Sequence, residues 1–360
     1  MTISPDQQSD IVGTCRELLK QGRPYDHVVA KSEALFVAWT EAFAPMLEEH
    51  DVLSVEEEFS FPLLNPETEA PSKSFVEAGK IDGVLRHKWS GQVKVLEHKT
   101  TSDKLGPESD YWARLVMNSQ ISKYILALLQ QGRHVNSVLY DVIRKPAQRP
   151  AQTPLVDDCG VKVVLDANGR RVRTKDGKKW RETGDAAQGY VLQTREETPQ
   201  EYHQRILSEL RYEPASYFAQ KEIPRTDTDL MEYMNDAWAL SQQVLYFRRA
   251  NLWPRNPDAC TSFGTCEYFD LCAGRASVDG IRYDLRPRRH AELEIVEDGK
   301  EFLTNSRLST LRQCARKHFL RYEQQVESVG PVDEALRTGT LFHMAAENYL
   351  KQFIYNPEKP

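Results

Sequence analysis

The stretch from Ala78 to Thr101, AGKIDGVLRHKWSGQVKVLEHKTT, limits the fold more than any other part of this chain. Val76, Ile81, Val84 and Leu85 come before a polar break, and Val93, Val95 and Leu96 come after it, with Trp89-Ser90-Gly91 between them. Short apolar alternation on both sides of a turn predicts a β-hairpin. Asp82 then lies on its first strand, and Glu97 and Lys99 on its second. Two residues apart, Glu97 and Lys99 leave the same face of the sheet. Two carboxylates converging beside an amine make an oxygen-ligand site for a hard cation, next to a group able to hold or activate water. A salt-bridged hairpin facing solvent would carry the same residues, because Asp, Glu and Lys ordinarily face water.

The surrounding sequence supplies the frame. Helices are predicted over 8–49, a strand over Asp51–Pro62, and a Pro/Ser/Glu loop over 63–74. A helix is expected over Tyr111–Gln131 and a further strand over Val135–Ile143. Gln120 and Tyr124 are one helical turn apart and project together. At 360 residues the chain can bury a large core. A net charge of −6 excludes a uniformly basic coat, though not a local basic groove. No apolar run reaches the length of a membrane span, and Met1–Pro5 opens no signal peptide. A cytoplasmic protein without a membrane partner is expected, with its six cysteines as thiols or metal ligands.

The order Asp82, Glu97-x-Lys99, Gln120-x-x-x-Tyr124 resembles the PD-(D/E)XK nuclease superfamily, and most closely its RecB-like branch. The resemblance implies an α/β fold with a restriction-endonuclease-like core: a small mixed sheet flanked by helices, here with helical additions and a cysteine cluster. The expected units are a helical segment 1–50, the nuclease core 51–144 and a basic insertion 145–198. A helical and cysteine-cluster region 199–275, a linker 276–302 and a C-terminal segment 303–360 follow.

Cys260, Cys266 and Cys272 stand in a loop with two five-residue gaps, which does not match the CxxC of common zinc ribbons. The spacing resembles the C-terminal cluster of the iron–sulfur nucleases of the RecB-like branch, which draw a fourth cysteine from far earlier in the chain. Here the corresponding segment comes last. Leu303–Glu323, with Cys314, and Gly339-Thr340-Leu341-Phe342-His343 resemble the opening of a RecB-like domain, placed after the core rather than before it. Either the family segments are permuted onto one core, the reading adopted, or 303–351 begins a second copy.

What the resemblance implies is a metal-dependent deoxyribonuclease. Asp82, Glu97, His343 and the main-chain carbonyl of His98 would hold Mg²⁺ or Mn²⁺. Lys99 would orient or deprotonate the attacking water, while Gln120 and Tyr124 would position nucleophile or phosphate. Cys260, Cys266, Cys272 and Cys314 would hold a structural 4Fe-4S cluster, or alternatively Zn²⁺. Expected substrates are DNA ends or single strands, in recombination, repair, phage replication or CRISPR adaptation, with a helicase or recombination partner. From the residues themselves, Gly169–Arg181 reads as a DNA-tracking arm: Arg170, Arg171, Arg173, Lys175, Lys178, Lys179 and Arg181 follow the phosphates and Trp180 stacks on a base. The same segment would also make an ordinary solvated hairpin. Two other classes stay open: a nuclease-like DNA-binding module without activity, and a zinc protein whose cysteines form a knot for protein contacts.

Overall fold

The computed structural model describes residues 5–262, 264–279, 281–286, 293, 295, 299–330 and 333–355. Its centre is one mixed sheet. Strands β1 (His50–Leu64), β2 (Pro71–His87), β3 (Val93–Thr101), β4 (Ser137–Arg144) and β5 (Phe218–Pro224) lie in that order, and β6 (Glu301–Leu303) attaches to β2 off this path. Helices α1 (Pro5–Lys20) and α2 (His27–Glu49) precede the sheet, and α3 (Asp110–Val116) and α4 (Ser119–Gln130) join β3 to β4. Helices α5 (Pro199–Tyr212) and α6 (Asp227–Ala250) flank β5; α7 (Asn305–Gln313) and α8 (Glu334–Lys351) follow β6.

β3 and β4 are parallel, and such a pair needs a crossover, which the α3–α4 segment provides. The other neighbours along the path are antiparallel. Period-two alternation then sends side chains to opposite faces, and helices cover both. Phe59, Ile81, Val95 and Tyr140 pack with Ile125 and Leu128 of α4 and Leu230 and Val244 of α6. On the other face Val52, Leu85, Leu96 and Ile143 pack with Trp39 of α2, Ile206 of α5 and Phe342 and Tyr349 of α8. Each such side chain contributes about 1.5–3 kcal/mol when fully buried.

Residues 303–351 pack on this same core. β6 pairs in parallel with residues 75–77 of β2, and α8 lies against α2 and β1. Arg307 of α7, itself buried, bonds Glu301 at 2.8 Å and Glu323 at 3.3 Å. Arg248 of α6 holds the same two carboxylates at 2.7 and 2.8 Å. Gly339 sits so close to β3 that a Cβ there would meet Thr100 Oγ1 at 2.8 Å.

Two expectations on local structure need correction. The predicted helix 111–131 is two helices, because the Asn118 side chain accepts the Gln120 N–H at 2.9 Å and so caps a new N-terminus. The predicted loop 63–74 shrinks to a turn over 65–70, with β2 already begun at Pro71. Of the predicted linker 276–302, residues 280, 287–292, 294 and 296–298 lie outside the described residues; Tyr283–Leu285 pairs with Val326–Ser328. Among the described residues no helix is long and apolar enough to cross a membrane.

The Gly339 contact makes the packing of the tail testable. Gly339→Ala is expected to destabilise by about 1–3 kcal/mol, as over-packing does. Combining it with Thr100→Ala should recover most of that loss in a double-mutant cycle read by urea unfolding. Additive losses would mean that α8 does not rest on this β3.

Candidate active site

The site lies where β3 leaves β2. Their ladder runs from Arg86↔Val93 to Gly83↔Leu96 and stops there. β6 takes up the same edge of β2 only at residues 75–77, so among the described residues nothing pairs with 78–82 on that side. Polar side chains fill the gap. Lys123, buried on α4, donates to the carbonyls of Ala78 (3.3 Å) and Leu303 and pairs with Glu77 at 2.5 Å. At the other end, the His98 N–H donates to Asp82 Oδ2 at 2.9 Å.

Glu97 and Lys99 leave β3 towards α4, as their spacing requires. Lys99 Nζ donates to Glu97 Oε1 and, at 2.9 Å, to Gln120 Oε1. Gln120 Nε2 donates to the Tyr124 hydroxyl at 2.6 Å. The four residues expected from the ExK and QxxxY patterns thus form one continuous hydrogen-bonded chain. Burial, and then the nearby Asp82 charge, pushes the Glu97 carboxyl up to about 7, against the pull of Lys99. Burial alone would discharge Lys99, but Glu97 and then Asp82 hold its pKa above the ordinary lysine value.

His343 approaches from the α8 side, its ring 6.5 Å from that of His98. Burial lowers its pKa to about 4, with His98 and Lys99 adding to the effect and Asp82 opposing it. Its imidazole is therefore neutral near pH 7, the form that can ligate a metal. The His98 side chain leaves β3 on the face that α2 and α8 cover, opposite to Glu97 and Lys99, and its Nδ1 meets Asp141 there.

Two carboxylates that the sequence reading passed over join this group. Glu56 falls opposite Asp82 in the β1–β2 register and has φ +53°, a left-handed conformation costing about 1–3 kcal/mol for a residue with a side chain. Burial pushes its carboxyl up to about 7, with Asp82 and Glu347 as the next causes. Glu347 stands one turn after His343 on α8, and that i, i+4 spacing was the available signal. Glu56 hid inside Glu56-Glu57-Glu58, a run that reads as a solvated face.

The donor types gathered here, carboxylate oxygens and a neutral imidazole, suit a divalent cation. Glu97 Oε2 is buried without a hydrogen-bond partner, so it offers a lone pair that nothing in the protein uses. Among the described residues, no three His, Cys, Asp or Glu side chains are grouped tightly enough to enclose an ion as they stand.

Residues 303–360 match the family model of the PD-(D/E)XK nuclease superfamily. No curated protein matches the chain. The matched stretch contains Cys314 and the GTLFH helix, whereas Asp82, Glu97 and Lys99 lie outside it and meet His343 only through folding.

Four of the cysteines gather at a second place. Cys260, Cys266, Cys272 and Cys314 are free, partly buried thiols lining one cavity of about 40 Å³, with Arg255 and Lys317 also on its wall. Burial raises the Cys272 thiol, Cys266 and Cys314 raise it further, and Arg255 and Arg316 pull it down. An all-thiol donor set suits zinc or an iron–sulfur cluster over a hard cation. Cys15, by contrast, is buried in the helical core, which takes its thiol up to about 11.

The basic insertion departs from the expectation at one residue. Trp180 is not a bare platform: the guanidinium groups of Arg171 and Arg173 lie 4.6 and 4.3 Å from its ring centre. Stacking an indole on neighbouring guanidiniums is favourable in itself. Arg171 is paired with Asp157 at 2.7 Å and Arg181 with Asp185 at 3.1 Å. Arg170, Arg173, Lys175, Lys178 and Lys179 are exposed.

The raised Glu56 carboxyl sets a pH dependence of stability. Between about 4.5 and 7 the folded protein keeps a proton that the unfolded chain has released, so stability falls as pH rises through that window. In EDTA, Glu56→Gln should therefore gain roughly 1–3 kcal/mol over wild type at pH 8 and almost nothing at pH 4. Urea unfolding at the two pH values checks this; an equal effect at both would place Glu56 away from the acidic group.

Proposed function

We propose that the protein is a metal-dependent deoxyribonuclease. The observation that carries this reading is the Glu97–Lys99–Gln120–Tyr124 chain facing Asp82 across the opening between β2 and β3. The match of residues 303–360 to the PD-(D/E)XK superfamily supports it independently, because it falls on the helix that brings His343 to the opening. Asp82, Glu97 and His343, with the main-chain carbonyl of His98, would hold Mg²⁺ or Mn²⁺. A bound ion of this kind neutralises charge on the scissile phosphate and makes water a nucleophile near neutral pH.

The protein's own residues divide the remaining work. Lys99, kept cationic by Glu97 and Asp82, stabilises negative charge as it develops and orients the attacking water. Gln120 fixes the Lys99 ammonium from the far side and is itself held by Tyr124, so the amine is preorganised before substrate arrives. Exposed Arg170, Arg173, Lys175, Lys178 and Lys179 give the insertion an electrostatic hold on the DNA backbone, with half-buried Arg171, Trp180 and Arg181 braced behind them. DNA ends or single strands are the substrates proposed, and exonucleolytic cutting the mode. A place in recombination, repair, phage replication or CRISPR adaptation, beside a helicase or recombination partner, accords with that mode. The cysteine cavity would hold a structural 4Fe-4S cluster joining the loop after α6 to the start of the tail.

End-labelled single- and double-stranded DNA, incubated anaerobically with Mg²⁺ or Mn²⁺, tests the assignment. Lys99→Ala and His343→Ala are each expected to lower kcat by about 10²–10⁴-fold with little change in DNA affinity. Loss with Lys99→Ala alone would remove His343 from the site. DNA bound but uncut by wild type would leave a binding module. Protein purified without oxygen should be brown and lose its colour in Cys266→Ser and Cys314→Ser; colourless protein containing zinc would replace the cluster with Zn²⁺.

A further inference from the structure

The face of the sheet opposite Glu97 and Lys99 carries a polar row that the proposed chemistry does not use. His98 and Asp141 are register partners on β3 and β4, and Asp141 and Gln220 are register partners on β4 and β5. Their side chains therefore stand side by side across three strands. Asp141 Oδ2 accepts from Trp39 Nε1 of α2 at 2.7 Å and from His98 Nδ1 at 2.9 Å, and Gln220 Nε2 donates to Oδ1 at 3.3 Å. An ionised carboxylate only accepts, so Nδ1 of His98 carries the hydrogen. Both His98 and Asp141 are buried, 4% and 2% exposed, among the rings of Trp39 and Phe43.

A buried charge bound this fully does not move freely, because giving up any of these bonds strands a polar group in an apolar layer. The main chain of His98 is the point where that rigidity matters. The β2–β3 ladder has ended two residues earlier, at Leu96, so no strand holds the His98 N–H, and that N–H is the group bonded to Asp82. Asp82 is oriented from β3, and β3 at this residue is fastened from behind.

We propose that His98 is a positioning residue of this site: its imidazole, tied to Asp141 on the far face of the sheet, holds the β3 main chain where its N–H orients Asp82. The inference rests on the nuclease reading and adds to it a side chain that touches neither substrate nor reacting atoms. Outer partners that orient a metal site typically change affinity or activity by 10–100-fold when lost. The donor at Nδ1 does the work, so a side chain that donates from the same place can substitute for it.

The test compares wild type, His98→Leu, His98→Asn and Asp141→Asn as full-length proteins with thermal unfolding as a folding control. Mn²⁺ binding is read by calorimetry without DNA, and kcat and KM are read on end-labelled DNA. His98→Leu should weaken Mn²⁺ binding about tenfold and lower kcat about 30-fold, with KM for DNA nearly unchanged. His98→Asn, whose amide can donate to Asp141 from the position of Nδ1, should restore both to within about fivefold of wild type. If His98→Leu does not fold, Asp141→Asn, with half the acceptor capacity at equal size, takes its place with the same expected split. Wild-type values in His98→Leu would overturn the proposal. So would a folded His98→Asn as impaired as His98→Leu, since Nε2, which is buried without a partner, would then be acting itself. Wild type that binds Mn²⁺ but cuts nothing would overturn the nuclease reading, while the Mn²⁺ titrations would still score His98.

Discussion

When β3 parts from β2 after Leu96, the next main-chain donor on that edge must find an acceptor other than a strand. It finds the Asp82 carboxylate. That single bond explains much of the local architecture. It keeps the opening between the strands from closing into a longer ladder and turns Asp82 along the edge of the sheet. It also leaves Glu97 and Lys99 free to meet α4. The other end of the opening is held by β6 and by Lys123, whose ammonium bridges the carbonyls of Ala78 and Leu303.

Charge then accumulates at the opening. Asp82, Glu97, Glu56 and Glu347 come together from β2, β3, β1 and α8, with Lys99 and Lys80 as the cations nearest them. Burial first, and then repulsion from Asp82, pushes carboxyl groups here towards neutrality, and Glu56 and Glu97 reach about 7. The strained backbone of Glu56 is a further cost borne at the same spot. A fold that keeps such a group stores free energy that a bound cation would release. His343, neutral through burial, adds an imidazole beside that group without adding charge.

The C-terminal segment is built into the sheet rather than appended to it. β6 occupies a lane on β2, Arg307 and Arg248 share Glu301 and Glu323, and Gly339 lets α8 lie against Thr100. It also carries Cys314 to the cavity formed by the three cysteines that follow α6. The two centres are thus connected mechanically through one stretch of chain, with the thiol cavity at one end and His343 at the other.

Much of this was legible in the sequence because it is written in short-range periodicity. Alternation identified the hairpin, spacing placed Glu97 with Lys99 and Gln120 with Tyr124, and the cysteine spacing drew attention to one loop. What period and spacing cannot encode is where distant segments meet. Glu56 reads as one of three solvated glutamates until the register sets it opposite Asp82. Trp180 reads as an open stacking surface until two arginines are seen over it. His98 enters the sequence reading only through its main-chain carbonyl, until β4 brings Asp141 beside its imidazole. The sequence by itself determined most strands and helices, because local sterics and alternation act over a few residues. Only the tertiary structure decided that β6 pairs with β2 and that α8 packs on the sheet that carries Asp82, because strand pairing and helix docking join residues with no relation along the chain.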